Sequence, residues 1–587
     1  MEITVVLGIL FFAVVLFSLE VLPIEIISIS VMLLLLLTGV LSPTEAFSGF
    51  SNEALIMIAG ILVLTGGMIQ SGVAEKIGQG IYSLARQSHR RVQLILLGTT
   101  CAVSAFINNI AATAMMIPAA MALARKTRSA PSRVLMPIAF ASMMGGTCTL
   151  IGTSTNVAVS GMLPQYHLAP LTLFELTPLG VLISLAGVLY MAAIGYRFLP
   201  EYHGELVDDF HVREYLTEVV ILSHSPLVGK SIEESHLGQD LDLNIVGIFR
   251  EGNRILAPER GVTLRSGDIL LVEGKAEEIH RVHEVEGLEI KADVRFHDKN
   301  LTSGQVKMVE ISLPHHSALV GKTLQGINFR ARYGLNALAV YRRGETLLEK
   351  VGKVVLRFGD LLLVQGEKKR IESLREDPNF ILLGEVAPRH RRRRKALLAL
   401  GIFGAAILAG GGGLIPISVA FLTGAVLMVL TRCMSLEDAY RALDLRLILL
   451  IAGMFSLGVA MEKSGTAAFL ATGLEKVFLP YGTMALLSAF FLLTVVLTQP
   501  MSNVTAALLV LPVALHAALD VGVDPRPFAI AVTVAASCSF ITPFEPACVL
   551  VYGPGRYRFI DYFKHGLIPT LIVFAISMAV IPRLWPF

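Results

Sequence analysis

The sequence predicts a polytopic α-helical membrane protein. Its fold class is an inverted repeat of five spans plus one re-entrant hairpin per half, with a cytoplasmic α+β insert of two tandem small β-rich modules. Three observations predict it. The 587 residues are 54% hydrophobic and 16% charged, with mean hydropathy +0.67, whereas soluble domains average about 45–50% apolar and about 25% charged. The apolar stretches fall into two sets that share polar landmarks. Between the sets lies a more polar stretch that is itself duplicated.

Apolar stretches near the spanning length of roughly 20 residues occur at 3–22, 24–41, 54–71, 133–163 and 172–199. They resume at 396–412, 417–432, 447–463, 527–553 and 565–585. Each set also holds a longer, interrupted segment, 91–124 and 482–519. The Gly410–Gly413 run makes a tight turn between two short spans. Met1–Leu22 lacks a basic n-region and runs past Pro23 into more apolar sequence, so it reads as a retained first span.

The two sets repeat. Ser42-Pro-Thr-Glu-Ala-Phe matches Ser435-Leu-Glu-Asp-Ala-Tyr, and Ile58-Ala-Gly matches Ile451-Ala-Gly. At the same offset Leu64, Met68, Ser71 and Gly72 meet Leu457, Met461, Ser464 and Gly465. After a one-residue slip Asn109 meets Asn503 and Pro118 meets Pro512. Gapless register through polar and glycine positions argues for duplication over chance.

Basic residues set the orientation. Lys76, Arg86, Arg90, Arg91, Arg125, Lys126, Arg128, Arg133 and Arg197 flank the first set. If 91–124 enters and leaves by one face, all nine share a side with the central insert. The stretches 42–53 and 164–171 have no Lys or Arg and fall opposite. By the positive-inside rule the insert is cytoplasmic. Five spans then carry the chain from outside to inside, which inverts the second half and leaves both termini outside. The expected domains are 1–200, 206–290, 297–380, a basic linker 381–395, and 396–587. The Arg391–Lys395 run suits an anchor beside anionic headgroups. A net charge of +3 is too small to argue for nucleic acid.

In the insert, Ser225-Pro-Leu-Val-Gly-Lys-Ser matches Ser317-Ala-Leu-Val-Gly-Lys-Thr. The same offset pairs Leu243-Asn with Leu335-Asn, Arg250 with Arg342, and Gly267-Asp-Ile-Leu-Leu-Val with Gly359-Asp-Leu-Leu-Leu-Val. Gly-Asp turns before apolar strands signal small β-rich modules, each ending in a charged helix (276–287 and 368–377). The Gly-Lys-Ser/Thr triplets are not P-loops. That motif needs a glycine five residues before the Gly-Lys, where His224 and His316 stand. Ser231 and Thr323 are expected to cap a helix. The five cysteines form neither a CxxC pair nor a Cys/His cluster, so no disulfide framework or zinc site is indicated.

The chemistry is expected mid-membrane. Non-helical backbone survives at bilayer depth only inside protein or a wet cavity. One such segment is Ser104-Ala-Phe-Ile-Asn108-Asn109-Ile-Ala-Ala-Thr113, and its counterpart is Thr498-Gln-Pro-Met-Ser502-Asn503-Val-Thr505. The next element of each half is also broken, by Gly152-Thr153-Ser154-Thr155-Asn156 and by Thr542-Pro543-Phe-Glu545-Pro546. Half-helix ends facing each other offer N–H groups to an anion and oxygens to a cation. Taken singly, such Asn and Thr residues read as interhelical glue; four breaks in a repeat read as a binding site.

At these residues the chain resembles the divalent-anion:sodium symporter family of the ion-transporter superfamily. Val551-Tyr-Gly-Pro-Gly-Arg-Tyr-Arg-Phe559 is similar to a branch that includes sulfate transporters, and the insert resembles paired RCK C-terminal (TrkA-C) domains. The resemblance implies a homodimer in a bacterial-type cytoplasmic membrane, in which a transport domain moves against a fixed scaffold. It implies a small dianion, sulfate first and dicarboxylate second, coupled to Na⁺, with no other cofactor and no enzymatic activity. Asn109 and Asn503 would ligate Na⁺ with neighbouring carbonyls, among Asn108, Thr113, Gly152, Thr153, Ser154, Thr155, Asn156, Ser502, Thr505, Thr542, Pro543 and Glu545. The TrkA-C pair would sense a small cytosolic ligand, such as a nucleotide. The chain departs from the family where its tips read Asn108-Asn109-Ile110 and Ser502-Asn503-Val504 instead of Ser-Asn-Thr, and where Glu545-Pro546-Ala547-Cys548 replaces polar residues.

Two rivals are weaker. A ligand-gated cation channel is suggested by the same sensor domain, but a selective potassium pore needs a carbonyl filter such as Thr-Val-Gly-Tyr-Gly, which the sequence lacks. A cation/proton antiporter wants midplane carboxylates, and Glu545 alone qualifies well. Glu545 is expected opposite Asn156, where it would bind Na⁺, carry H⁺ or rest on backbone N–H groups; a basic partner is the least favoured option.

Overall fold

The computed structural model describes residues 2–19, 22–71, 89–127, 129–201 and 395–587. Within the insert it describes 216–235, 237, 244–250, 253–256, 258, 261–273, 287–291, 306–313, 317–342, 345–347, 351–357, 359–374, 377 and 379–382. The chain divides into two compact units. The first comprises Met1–Glu201, Arg389–Val551 and Phe559–Phe587; the second comprises Tyr202–Pro388 and Tyr552–Arg558.

The first unit is helical. Its first half holds α1 (Glu2–Leu19), α2 (Ile24–Leu37), α3 (Pro43–Ala46), α4 (Glu53–Gln70), α5 (His89–Ser104), α6 (Asn109–Thr127), α7 (Ser132–Gly146), α8 (Ser154–Met162) and α9 (Thr177–Tyr190). Helices α10 (Phe329–Tyr333) and α11 (Lys368–Ser373) belong to the insert. The second half holds α12 (Ala396–Gly411), α13 (Ile417–Leu430), α14 (Leu436–Ala442), α15 (Leu445–Lys463) and α16 (Thr466–Phe478). It continues with α17 (Thr483–Leu497), α18 (Asn503–Val521), α19 (Arg526–Ala536), α20 (Pro546–Tyr552) and α21 (Phe559–Leu584).

Among the described residues six helices are long and apolar enough to cross a membrane, and seven further apolar helices are shorter. Several expected spans are short because glycine ends them. Helix α2 stops at Leu37, two residues before Gly39 adopts φ +75°, and α12 stops at Gly411 before Gly413 at φ +72°. Such left-handed backbone is cheap only for glycine. Conversely, the last span is longer than the apolar stretch 565–585, beginning at Phe559.

Packing joins the two halves. Helix α2 lies against α15, and α4 lies against α13. Hairpin α5–α6 packs on the broken helix α7, and hairpin α17–α18 packs on α19. Helix α18 also touches α15, α16 and α8.

The second unit carries two five-stranded antiparallel sheets. The first has β1 (Leu216–Ile221), β2 (Asn244–Arg250), β3 (Asn253–Leu256), β4 (Ile269–Glu273) and β5 (Leu288–Lys291), in the order β3-β2-β4-β1-β5. The second has β6 (Val306–Ser312), β7 (Asn336–Arg342), β8 (Glu345–Thr346), β9 (Leu361–Glu367) and β10 (Ile381–Leu382), in the order β10-β6-β9-β7-β8. The second order is the first read backwards, so each strand keeps its neighbours. Even the irregularities coincide: a bulge falls at Ile245/Gly247 in one sheet and at Ala337/Ala339 in the other. Buried Asp268 accepts from Arg250 and the Arg265 N–H, just as Asp360 accepts from Arg342 and the Arg357 N–H, with guanidinium contacts of 2.7 Å. Each sheet covers its own apolar core, centred on Ile248 and Leu270 in the first and on Val340 and Leu362 in the second.

Ser231 and Thr323 differ from expectation. Each caps a turn, its hydroxyl accepting the N–H of Glu234 or Gly326. Isolated antiparallel bridges tie them to Thr263 and Val355, and no helix starts at either residue. The charged helix expected at 276–287 lies almost wholly outside the described residues, as do Arg391–Arg394.

Candidate functional site

Both interrupted segments fold as helical hairpins whose second helix begins at the key asparagine. Asn108 caps α6, its Oδ1 accepting the Ala111 N–H at 2.8 Å. Ser502 precedes α18 with no side-chain cap. Inside each tip the same bond recurs. Ser104 Oγ donates to Asn109 Oδ1 at 3.0 Å, and Thr498 Oγ1 lies 2.7 Å from Asn503 Oδ1. Ser539 Oγ adds a second hydroxyl 2.6 Å from Asn503 Oδ1.

With each amide oxygen turned toward hydroxyls, each amide NH₂ points the other way. Asn503 Nδ2 donates to Glu545 Oε2 at 3.0 Å, and the Asn109 side chain lies near the same carboxylate. Hydroxyls on Oδ1 and a carboxylate oxygen on Nδ2 fit one way of turning the Asn503 amide. Glu545 is half-buried, immediately before α20, where its carbonyl accepts the Cys548 and Val549 N–H groups. Aligning the starts of α8 and α20 pairs Glu545 with Thr153 and not with Asn156, because the second break, Ser537–Glu545, is longer than Thr147–Thr153. The carboxylate accepts from the Asn503 side-chain amide rather than from the backbone N–H groups or the basic partner considered above.

The first break is held by close packing. A methyl on Gly146 would collide with Asn109 Oδ1, and one on Gly152 would collide with the Gly146 backbone. Asn156 Nδ2 donates to the carbonyls of Gly146 (3.1 Å) and Thr149 (2.8 Å), while the Thr149 hydroxyl donates to the Ala105 carbonyl at the first tip. Thr153 caps α8, accepting the Thr155 N–H, and Ser154 is that helix's first residue. At the second break, Thr542 Oγ1 approaches the Gln499 carbonyl (3.2 Å) and Oε1 (3.3 Å), and Gln499 Nε2 donates to Cys538 O at 3.1 Å. Pro543 is buried beside them.

The expected residues thus separate. Asn503 and Glu545 are hydrogen-bonded, with Asn109 nearby. Thr113 instead joins α6 to α7 through Ser142, at 2.7 Å. Asn156 Oδ1 and Thr505 Oγ1 are buried oxygens without a hydrogen-bond partner among the described residues. Sequence reasoning missed Ser539, Gln499 and Gly146 as site residues. The hydroxyl five residues before each key asparagine was a readable signal for Ser104 and Thr498; Ser539 had none. No group of three or more His, Cys, Asp or Glu residues that could hold a metal occurs among the described residues.

Comparison with known proteins agrees with the resemblance to ion transporters. The family described as "CitMHS: Citrate transporter" matches residues 14–535. The "Uncharacterized transporter sll0640" of Synechocystis sp. is 34% identical over 97% of this chain and 95% of its own length. The "Uncharacterized transporter YfbS" of Escherichia coli is 31% identical over the whole of both chains. "Sodium/sulfate cotransporter 2" of Chlamydomonas reinhardtii is 22% identical over 88% of this chain and 82% of its own. A match across most of the chain, joined to helical hairpins converging in an apolar bundle, makes this protein a multi-pass membrane transporter belonging to the citrate-transporter (CitMHS) family.

Proposed function

We propose that this transporter carries a small dianion, sulfate first, coupled to Na⁺, by an elevator movement within a homodimer. The observation that carries the reading is the meeting of the two hairpin tips at Glu545, which accepts from Asn503 and has Asn109 beside it. The starts of α6, α8 and α18 lie at the breaks, and helix N-termini favour anions through free N–H groups and the helix dipole. Unpartnered Asn156 Oδ1 and Thr505 Oγ1 are oxygens of the kind that suits Na⁺. Asn503 Oδ1 could ligate a cation only by giving up a hydroxyl, so in this reading the ion competes with Thr498 and Ser539. Glu545 offers H⁺ as the alternative coupling ion.

The sodium/sulfate name of one relative supports the choice of anion and ion; the citrate description of the family favours a carboxylate as second reading. Inward movement of net positive charge gains about 2.3 kcal/mol per unit charge per 100 mV, which helps accumulate a dianion. The inverted repeat, the cytoplasmic insert and its TrkA-C-like sensing of a small ligand belong to the same proposal. The test is uptake of labelled sulfate into proteoliposomes with and without a Na⁺ gradient, with citrate and succinate as competitors. Saturable, Na⁺-dependent sulfate uptake is expected. Uptake of a carboxylate alone would move the substrate to the second reading, and proton-driven uptake indifferent to Na⁺ would move the coupling to Glu545.

A further inference from the structure

Away from the tip network, one titratable pair joins a hairpin to the helices packed beside it. We propose that His516 and Glu462 form a proton-dependent latch that ties the second hairpin to α15 and slows transport at low pH. His516 lies on α18, the helix that begins at Asn503, and Glu462 lies in the last turn of α15. His516 Nε2 and Glu462 Oε2 are 2.7 Å apart, with the side chains 18% and 44% exposed. Tyr166, in the turn that follows α8, sets its ring edge-on to the imidazole, centroids 6.2 Å apart and planes at 89°. Its hydroxyl is buried. Three elements therefore meet at one imidazole.

The titratable groups facing His516 among the described residues are Glu462 of α15, Tyr166, Glu475 of α16 and Asp520 of α18 itself. All are acids or a phenol, so a proton on the imidazole meets attraction from each carboxylate. Histidine ordinarily changes charge between pH 5 and 8. Protonated, it donates a charge-assisted hydrogen bond to Glu462; neutral, it keeps only the weaker bond. Protonation thus favours the arrangement in which the pair is closed. Helix α15 packs most extensively on α2 and α18 on α19, and α18 also touches α15. A movement of the hairpins past the α2–α15 pair has to open the contact. The inference rests on the elevator movement proposed above.

Two measurements test it, one of which needs no substrate. Nitroxide labels at the exposed Leu37 of α2 and Leu519 of α18 report their separation in the full-length protein at pH 5.5 and 7.5. At pH 5.5 a single distance is expected, with a second population growing at pH 7.5; His516→Gln should show the same distribution at both. Sulfate uptake, with pH equal on both sides, should fall roughly two- to five-fold from pH 7.5 to 5.5, the size of a partly exposed ion pair. In His516→Gln and in Glu462→Gln it should stay flat. Should His516→Gln misfold, Glu462→Gln carries the test alone. A wild-type pH profile that survives in the variants overturns the latch, as does a distance distribution indifferent to pH. Pronounced label movement with no uptake of any anion tested would instead overturn the transport reading and leave the latch standing.

Discussion

The contact between Asn503 and Glu545 makes a strong demand on charge. Replacing Asn503 by Asp keeps the shape and the oxygen that faces Thr498 and Ser539, but it sets a second carboxylate where Nδ2 donates to Glu545 at 3.0 Å. Two unit charges at that distance repel by about 5 kcal/mol at an effective dielectric of about 20. Relaxation of the side chains and uptake of a shared proton will absorb part of this. If only a third remains, the site is disfavoured by more than about tenfold. Glu545→Gln is milder: the amide of Asn503 still finds an oxygen, and the loss is that of charge assistance, about 1 kcal/mol.

The combination of the two decides the matter. In Asn503→Asp/Glu545→Gln the amide and the carboxylate exchange places, so the hydrogen bond is restored with reversed polarity. Uptake by proteoliposomes at pH 7 should drop at least tenfold in Asn503→Asp, less than tenfold in Glu545→Gln, and recover in the double variant to above the Asn503→Asp level. A double-mutant cycle isolates the pairwise term from the two separate losses. If Asn503→Asp transports normally, or if the double variant loses the sum of the single losses, the two residues do not act together and the tip network has no part in transport.

Four further outcomes are expected. Gly146→Ala forces its methyl onto Asn109 Oδ1; overpacking of this kind costs about 1–3 kcal/mol, and uptake should fall more than fivefold while Gly98→Ala, in open space, leaves it unchanged. Arg342→Ala strands Asp360, which is fully buried; breaking such a pair costs about 3–5 kcal/mol, to be seen as faster proteolysis within 306–382 of the full-length protein. Hydrogen bonds from Lys463 and Ser42 hold the Glu45 carboxyl down to about 2 from 4.5. That pair's stabilisation is complete above pH 4.5 and is lost only as pH falls toward 2, so Lys463→Met should lower the Tm equally at pH 6 and 8. Cysteine probes at 48 and 168 should label from outside and probes at 128 and 300 from the cytoplasm; the reverse pattern would invert the proposed topology.

How much of this was readable depended on whether the signal was local. The Gly-Asp turns of the insert were legible because Gly267 and Gly359 need left-handed backbone, φ +83° and +79°, and because apolar strands follow at once. Their aspartates' partners were not, since Arg250 and Arg342 reach them only through the register of β2 on β4 and of β7 on β9. Ser231 misled for a related reason: Ser231 followed three residues on by Glu234 is a helix-start pattern, and only the long-range bridge to Thr263 shows that Ser231 pairs with distant backbone instead. The tips were legible as runs of small and amide residues within apolar sequence. That their two asparagines would face one carboxylate was not, because 109, 503 and 545 come together only after two hairpins and a break have folded.

Glu545 constrains any anion carrier built on this network. On the proposed reading, a dianion about 6 Å from an ionised Glu545 would be repelled by about 5 kcal/mol at an effective dielectric of about 20. The Asn503 amide orients the carboxylate but cannot cancel its charge. A Na⁺ bound nearby or a proton on the carboxylate would, and either would have to arrive before the anion or with it. Coupling would then follow from charge balance at the tips: the empty site repels the anion, and the cation-loaded site admits it. Such an order of binding predicts that the apparent affinity for sulfate rises with Na⁺ concentration in the wild type. In Glu545→Gln, where the repulsion is absent, that dependence should weaken. If it remains unchanged, the carboxylate does not set the order, and the coupling ion acts elsewhere in the bundle.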